Sequence, residues 1–313
     1  MWALDKKKKN SKTPPVSGFL ARFRGLGQAC AALLTNPHLP NLLKGQIYRG
    51  KGKTVCVPGL NCYSCPAATG ACPLGAVQSV IGSSKFKFSY YVTGTLILLG
   101  VLLGRFVCGF LCPFGWFQEL IHKIPLPKKK LSTKKLRPLR YLKYLILLLT
   151  VTLPLIFTNE VGMGNPFFCK YLCPQGVLEG AIPLSLASES VRSALGSLFT
   201  WKSVVLGAVV VLSLLFYRPF CKWLCPLGAF YALFNRVSLT GMQVDAHKCV
   251  HCGRCEKACK MDVDVTKTPD HPECIRCGMC VKACPTGAVS FRCGLSRGAK
   301  EKENPAGKQA VEK

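Results

Sequence analysis

The chain holds 20 cysteines in 313 residues, nearly all in short, regular spacings that read as ligand sets rather than scattered disulfide partners. Two runs near the C-terminus share one pattern, Cys249-x2-Cys252-x2-Cys255-x3-Cys259 and Cys274-x2-Cys277-x2-Cys280-x3-Cys284-Pro285. Eight thiolates so arranged hold two [4Fe-4S] clusters, the fourth cysteine of each run ligating the other cluster. The expected sets are Cys249, Cys252, Cys255 and Cys284 for one cluster, and Cys274, Cys277, Cys280 and Cys259 for the other. Lys260 stands where a proline is expected after Cys259, which touches local backbone more than ligation.

A second pattern, C-x3-C-P-x-G, occurs three times, at Cys108/Cys112, Cys169/Cys173 and Cys221/Cys225. The first and last copies carry a leading arginine, Arg105 and Arg218; the middle copy does not. In a helix, cysteines at i and i+4 share a face, and the proline suits the first turn of a new helix. Each copy thus offers half of a four-thiolate site. A Gly- and Pro-rich loop, residues 56–72, adds Cys56, Cys62, Cys65 and Cys72. The Cys62-x2-Cys65 spacing suits zinc or iron–sulfur, and the Cys72-Pro-Leu-Gly-Ala ending, shared with ferredoxins, ranks iron–sulfur first and leaves zinc open. Cys30 has no neighbour at ligand spacing and reads as a small buried residue.

The elements that must position these thiols are apolar. A formal charge of +28 with 49% hydrophobic residues is rare in a soluble domain but suits a membrane protein with basic inner loops. The basic residues sit beside apolar runs without a nucleic-acid motif, so nucleic acid is not an expected partner. No cleavable signal-peptide pattern opens the chain, and its length does not suit a small secreted disulfide scaffold. Apolar stretches at 25–43, 88–107, 141–158 and 198–223 predict about four transmembrane helices, and 116–124 a short interfacial helix. The basic N-terminus, 1–24, and the basic loop between the second and third stretches place both termini in the cytoplasm of a multi-pass protein of the cell's inner membrane. Cys108, Cys112, Cys221 and Cys225 then share the cytoplasmic face. Cys169 and Cys173 share the outer face with the 56–72 loop. The expected fold is a membrane all-α domain (25–240, with motifs at 108–113, 169–174 and 221–226), an α+β bacterial-type 2[4Fe-4S] ferredoxin domain (241–294) and a disordered tail (295–313).

Spans carrying C-x3-C-P motifs ahead of a double-cluster ferredoxin resemble a family of polyferredoxin-like membrane proteins. That family includes the membrane subunit of the periplasmic nitrate reductase quinol dehydrogenase and the membrane regulator of nitrous-oxide reductase. The resemblance covers roughly residues 88–284, and it implies two C-x3-C-P motifs facing the cytoplasm, here Cys108, Cys112, Pro113 and Cys221, Cys225, Pro226. The chain departs from it in Cys169, Cys173 and the 56–72 loop, so quinol oxidation does not transfer automatically. The expected function is electron relay: two ferredoxin clusters, an inner membrane-face cluster on Cys108, Cys112, Cys221 and Cys225, and an outer one drawn from Cys62, Cys65, Cys72, Cys169 and Cys173, with Cys56 in reserve. Arg105 and Arg218 read either as tuning the inner cluster or as interfacial anchors. Partners expected are membrane lipid and donor and acceptor proteins, among them an exported flavin protein or reductase. The alternatives are a quinol-oxidising subunit, with Phe106, Phe110, Phe114, Trp116, Phe220 and Trp223 lining a quinone pocket, and a redox assembly or regulatory protein for a metalloenzyme.

Overall fold

The computed structural model describes residues 15–83, 90–125, 133–157 and 164–294. Segment 1–14, part of the basic loop (126–132) and the tail 295–313 expected to be disordered lie outside the described residues. Helices α1 (Pro15–Thr35) and α2 (Pro40–Lys44) lead into the cysteine loop, which ends in α3 (Pro73–Gly82). The first C-x3-C-P copy is carried by α4 (Tyr90–Leu103), α5 (Phe106–Phe110) and α6 (Pro113–His122). After α7 (Leu142–Ile156) come two wide helical turns, Phe168–Leu172 and Gly176–Ala181, then α8 (Ile182–Ala187) and α9 (Glu189–Ser193). The last copy lies on α10 (Ser197–Leu215), α11 (Pro219–Trp223) and α12 (Pro226–Phe234). In the C-terminal module β1 (Thr240–Val244) pairs antiparallel with β2 (Val289–Cys293), and α13 (Arg254–Ala258) and α14 (Met279–Ala283) lie between them in sequence.

Four helices alternate in direction between this module and the cysteine loop. α1 starts on the module, where the Phe291 amide donates to Ser17 Oγ at 3.2 Å, and ends at the loop, where the Thr69 amide donates to the Thr35 carbonyl at 3.1 Å. α4 returns, its Leu103 carbonyl accepting from Thr240 Oγ1 at 3.0 Å and from Arg276 Nη1 at 2.8 Å. α7 leaves from Lys143, paired with Glu273 at 2.5 Å, and α10 comes back from Lys202, beside Gly176, to Ser213, beside His122.

Among the described residues two helical runs, where four were expected, are long and apolar enough to cross a membrane: Leu136–Ile156, which ends in α7, and Ser197–Leu215, which is α10. Only 22% and 17% of their apolar windows are buried, so Leu145, Leu148, Leu149, Val204 and Val211 face outward. A core helix of a water-soluble protein would show the reverse. The other two stretches are shortened by local chemistry. Pro37 disfavours helix at Asn36, so α1 stops at Thr35 and the second part of the 25–43 stretch lies outside it. Gly104, at φ 51°, ends α4 at Leu103, four residues before the expected end of the stretch. Arg218, at φ 50° ahead of Pro219, likewise breaks α10 from α11. Cys30 is exposed on α1, not buried.

The module is clamped to the helices rather than tethered. Buried Glu273 pairs with Arg105 at 2.9 Å as well as with Lys143, and Asp262 takes Lys222 at 3.1 Å and Arg140 at 3.3 Å. Burial pushes the Glu273 carboxyl up, but Arg105 and Lys143 outweigh it and hold it at about 2. Both cysteine runs place left-handed residues at equal offsets, His251 with Arg276, Gly253 with Gly278, and Asp262 with Gly287. The Lys260 substitution therefore leaves the backbone path intact.

Candidate functional site

Each C-P pair forms a helix start. Cys72, Cys112 and Cys225 are the N-caps of α3, α6 and α12, held in extended backbone by the prolines at N1. The two cysteines of a copy therefore sit on successive short helices, not on one continuous face. The glycine of C-P-x-G explains itself here. The amides of Gly75, Gly115, Gly176 and Gly228 donate to Cys72, Cys112, Cys173 and Cys225, as suits sulfur anions at helix N-termini. A Cβ on Gly115 would also lie 2.9 Å from Arg218 Nη1.

Cys108, Cys112, Cys221 and Cys225 are brought together as one buried group, each within electrostatic reach of the others. Burial, then the neighbouring Cys221 and Cys108, pushes the Cys112 thiol up to about 12. Burial also carries Cys225 well above its ordinary value. Four such thiolates need a compensating cation to coexist. The two arginines cross over. Arg105 Nη2 donates to the Cys221 carbonyl at 3.3 Å, and Arg218 Nη1 donates to the Cys108 carbonyl. Both are 0% exposed, which rules out interfacial anchoring, and Arg218 also pairs with Glu119 at 2.8 Å. Among the described residues Arg105 Nε and Arg218 Nη2 are buried donors without a partner, on side chains that lie against this sulfur-rich group.

Cys62, Cys72, Cys169 and Cys173 form the second group, around a cavity of about 420 Å³ that Gln175 and Lys202 also line. Cys65 and Cys56 are left out of it. Cys65 packs with Ala67 and Ala68, and Cys56 makes a strand-like bridge to Ala71. Among the described residues no three Cys, His, Asp or Glu side chains converge on a single-ion site. A cavity of this size beside four thiols suits a polynuclear cluster better than a lone zinc, which needs four ligands about 2.3 Å from one centre.

The two groups are not separated by a full apolar layer, because the 56–72 loop packs against the first C-x3-C-P copy. A Cβ on Gly59 would lie 2.8 Å from Cys112 Cα. Cys62 follows three residues later, which puts it within about 15 Å of Cys112, half the ~30 Å of a bilayer core.

A signal the sequence reading missed sits six residues after each C-P cysteine: Gln78, Gln118, Glu179 and Tyr231. Gln118 Nε2 donates to Cys221 Sγ at 3.2 Å while its Oε1 accepts from the Phe220 amide at 3.2 Å. Gln78 does the same to Cys169 Sγ and the Phe168 amide, both at 3.1 Å. Glu179 accepts from the Cys62 amide at 2.9 Å, and Tyr231 donates to the Pro58 carbonyl at 2.9 Å. The Arg-less third copy thus has a structural partner in Cys72-Pro-Leu-Gly, and the two centres are variants of one design.

In the C-terminal module Cys259, Cys274, Cys277 and Cys280 come together, and Cys255 meets Cys284. Cys252 is exposed and Cys249 half-buried on the preceding loop. Of the aromatics expected to line a quinone pocket, Phe110, Phe114, Phe220 and Trp223 are core residues. Trp116 alone of the six borders a cavity of about 570 Å³, between α1, α6 and the module, that Gln28, Glu119, His122 and Tyr217 also line.

A 4Fe-4S binding domain family matches residues 89–134, 144–182 and 198–241, one C-x3-C-P copy in each, and a second family of the same description matches 268–290. An uncharacterized protein of Methanocaldococcus jannaschii is 31% identical over 204 residues, 63% of this chain and 75% of that protein. The chain belongs to the polyferredoxin-like iron–sulfur proteins. Another similar protein is the putative electron transport protein YccM of Escherichia coli, 25% identical over 55% of this chain and 45% of its own. The regulatory protein NosR of Pseudomonas aeruginosa is 27% identical over 51% of this chain and 21% of its own. No solved structure matches. As a polyferredoxin-like protein the chain has an iron–sulfur electron-transfer role and binds [4Fe-4S] clusters.

Proposed function

We propose that the protein relays electrons through four [4Fe-4S] clusters: two in the C-terminal module, one on Cys108, Cys112, Cys221 and Cys225, and one on Cys62, Cys72, Cys169 and Cys173. The observation that carries this reading is the unbroken packing of cysteine groups. The Ile275 carbonyl, beside Cys274, packs on Gly109, beside Cys108, and Gly59, three residues before Cys62, packs on Cys112. Each step is then far shorter than a bilayer. The exposed apolar faces of α7 and α10 support a place in the cell membrane with the module cytoplasmic, so that electrons pass between soluble partners on the two sides. The clusters supply one-electron redox chemistry. The chain supplies thiolates, N–H donors and a dry setting.

Iron and sulfide analysis of anaerobically purified protein tests the count: about sixteen iron atoms are expected, four per cubane. Iron for two clusters only, unchanged in Cys112→Ser/Cys225→Ser, would defeat the relay. A reporter fused after Phe168 tests the sidedness, and a cytoplasmic location there would overturn it. One observation favours a second reading, quinol oxidation: the 570 Å³ cavity lined by Gln28, Trp116, Glu119, His122 and Tyr217 beside the Arg218 site. Quinol-dependent bleaching of cluster absorbance in the isolated protein separates the two.

A further inference from the structure

The Pro58–Cys62 segment touches both membrane-domain centres. The Leu60 amide faces Cys112, in the inner group, and the next amide along the chain, Asn61, faces Cys72, in the outer group. Cys62 then enters the outer group directly, and Leu60, Asn61 and Cys62 all line its cavity. Between the two donor nitrogens lie three covalent bonds, N–Cα, Cα–C and C–N. The segment is held in place from both sides. Gly59 sits where a Cβ would meet Cys112 Cα at 2.8 Å, the Leu111 carbonyl at 2.9 Å and Pro113 Cδ at 3.2 Å. Tyr231, 0% exposed, donates from its hydroxyl to the Pro58 carbonyl at 2.9 Å. It lies within electrostatic reach of Cys108 and Cys112 in the inner group and of Cys72 in the outer one. Leu60 and Asn61 are 1% and 0% exposed, which keeps water out of that space.

We infer that the consecutive amides of Leu60 and Asn61 are the electronic bridge between the inner and outer clusters, with Gly59 and Tyr231 as the positioning residues that hold the bridge on both. The inference rests on the four-cluster reading above. With clusters held by the two cysteine groups, the chain's own path between Cys112 sulfur and Cys72 sulfur would be the Leu60 N–H, the three intervening covalent bonds and the Asn61 N–H; a single electron passing along it would oxidise one cluster and reduce the other, with no proton or bond exchanged. Hydrogen bonds and covalent bonds carry electronic coupling better than a gap filled by side-chain contact, and amide donors to cluster sulfur also stabilise the reduced forms. This gives the loop its PGLN sequence: a turn without a side chain at Gly59, then two free N–H groups in succession.

The test is electron paramagnetic resonance on the full-length protein, fully reduced with dithionite, followed by freeze-quench measurement of equilibration between the two clusters after partial reduction. Wild-type protein should show spin–spin interaction between the inner and outer clusters. Tyr231→Phe removes one hydroxyl and keeps the ring; it should retain full iron and slow equilibration about twofold to fivefold. Asn61→Pro deletes one bridging N–H and should slow it about tenfold with all clusters assembled. Should Asn61→Pro fail to assemble, Tyr231→Phe still decides. Two magnetically isolated clusters in wild type, or unchanged equilibration in the iron-replete variants, would overturn the bridge and leave the four-cluster count standing. A wild-type protein lacking iron at these cysteines would instead remove the reading on which the bridge rests.

Discussion

Around Cys108, Cys112, Cys221 and Cys225 the charges that reach the cysteine segments are two fully buried guanidiniums, Arg105 and Arg218, each reaching across to a cysteine carbonyl of the other copy and backed by Glu273 and Glu119 respectively. Around Cys62, Cys72, Cys169 and Cys173 they are one carboxylate, Glu179, bonded to the Cys62 amide, and one lysine, Lys202, at the rim of the cavity. The scaffolding is otherwise alike: the same C-P-x-G helix starts and the same glutamine brace, Gln118 in one and Gln78 in the other. Reduction adds negative charge, so the centre with buried cations holds its electron more tightly. The difference teaches that one motif, used twice, is differentiated by the second rank of residues. The inner centre should have the higher potential, and the outer centre the lower one.

The largest break in that comparison comes from removing one centre. Cys112→Ser/Cys225→Ser should lose about four iron atoms and leave the remaining clusters intact but slow to exchange electrons with the outer centre, read by iron analysis and low-temperature spectroscopy. Loss of all the iron would mean the two centres assemble as one unit. Next in size is Arg218→Met, which keeps the volume and deletes the charge. A charged hydrogen-bond partner contributes about 1.5–3 kcal/mol, so the inner potential should fall by about 60–130 mV in a redox titration while the outer one stays put. Glu119, which pairs with Arg218 and with Arg24, keeps one partner, and so the variant should fold. A fall in both potentials, or in neither, would sink the charge argument.

Much of the site was legible in the cysteine spacing, because metal ligation imposes strict local geometry. Spacing within each run proposed the Cys259, Cys274, Cys277, Cys280 set, whereas the pairing of Cys108 and Cys112 with Cys221 and Cys225 needed the topology and the family resemblance; in the fold the members of each set lie within electrostatic reach of one another. The outer set was legible only as a pool of six. Its selection depends on how the loop enters the fold, a long-range packing outcome set by Gly59 against Cys112 and Thr35 against Asn61 and Thr69, and no local pattern encodes that. Two stretches end earlier than expected for a physical reason: hydropathy runs straight through Gly104 and Arg218, whereas the backbone turns left-handed there. The crossing arginines and the +6 position were visible as repeats in the sequence, but their meaning required the partner segment to be in place.

A third variant probes the outer centre alone. Glu179→Gln removes the carboxylate at the Cys62 amide, so the outer potential should rise. Burial pushes the Glu179 carboxyl up to about 7, so it is only partly ionised near neutral pH, and the rise should be smaller than the Arg218 effect, about 30–60 mV. An unchanged outer potential would place the difference between the centres wholly with the arginines.

The smallest effect is the most discriminating, because it should be the same in both centres. Gln118→Leu and Gln78→Leu each delete one N–H to a cysteine sulfur and one acceptor of a backbone amide, at 3.1–3.2 Å in both cases. A neutral hydrogen bond contributes about 0.5–1.5 kcal/mol, so each substitution should lower the potential of its own centre by about 20–65 mV and leave the other unmoved. The orphaned Phe220 or Phe168 amide should also lower the thermal midpoint, because each is left buried without its acceptor. Equal shifts would show that the brace is a shared part of the design and that the gap between the centres comes from charge. A shift in one centre only would mean that the two braces, for all their matching geometry, do not face equivalent clusters, and the internal repeat would then be one of backbone and not of chemistry.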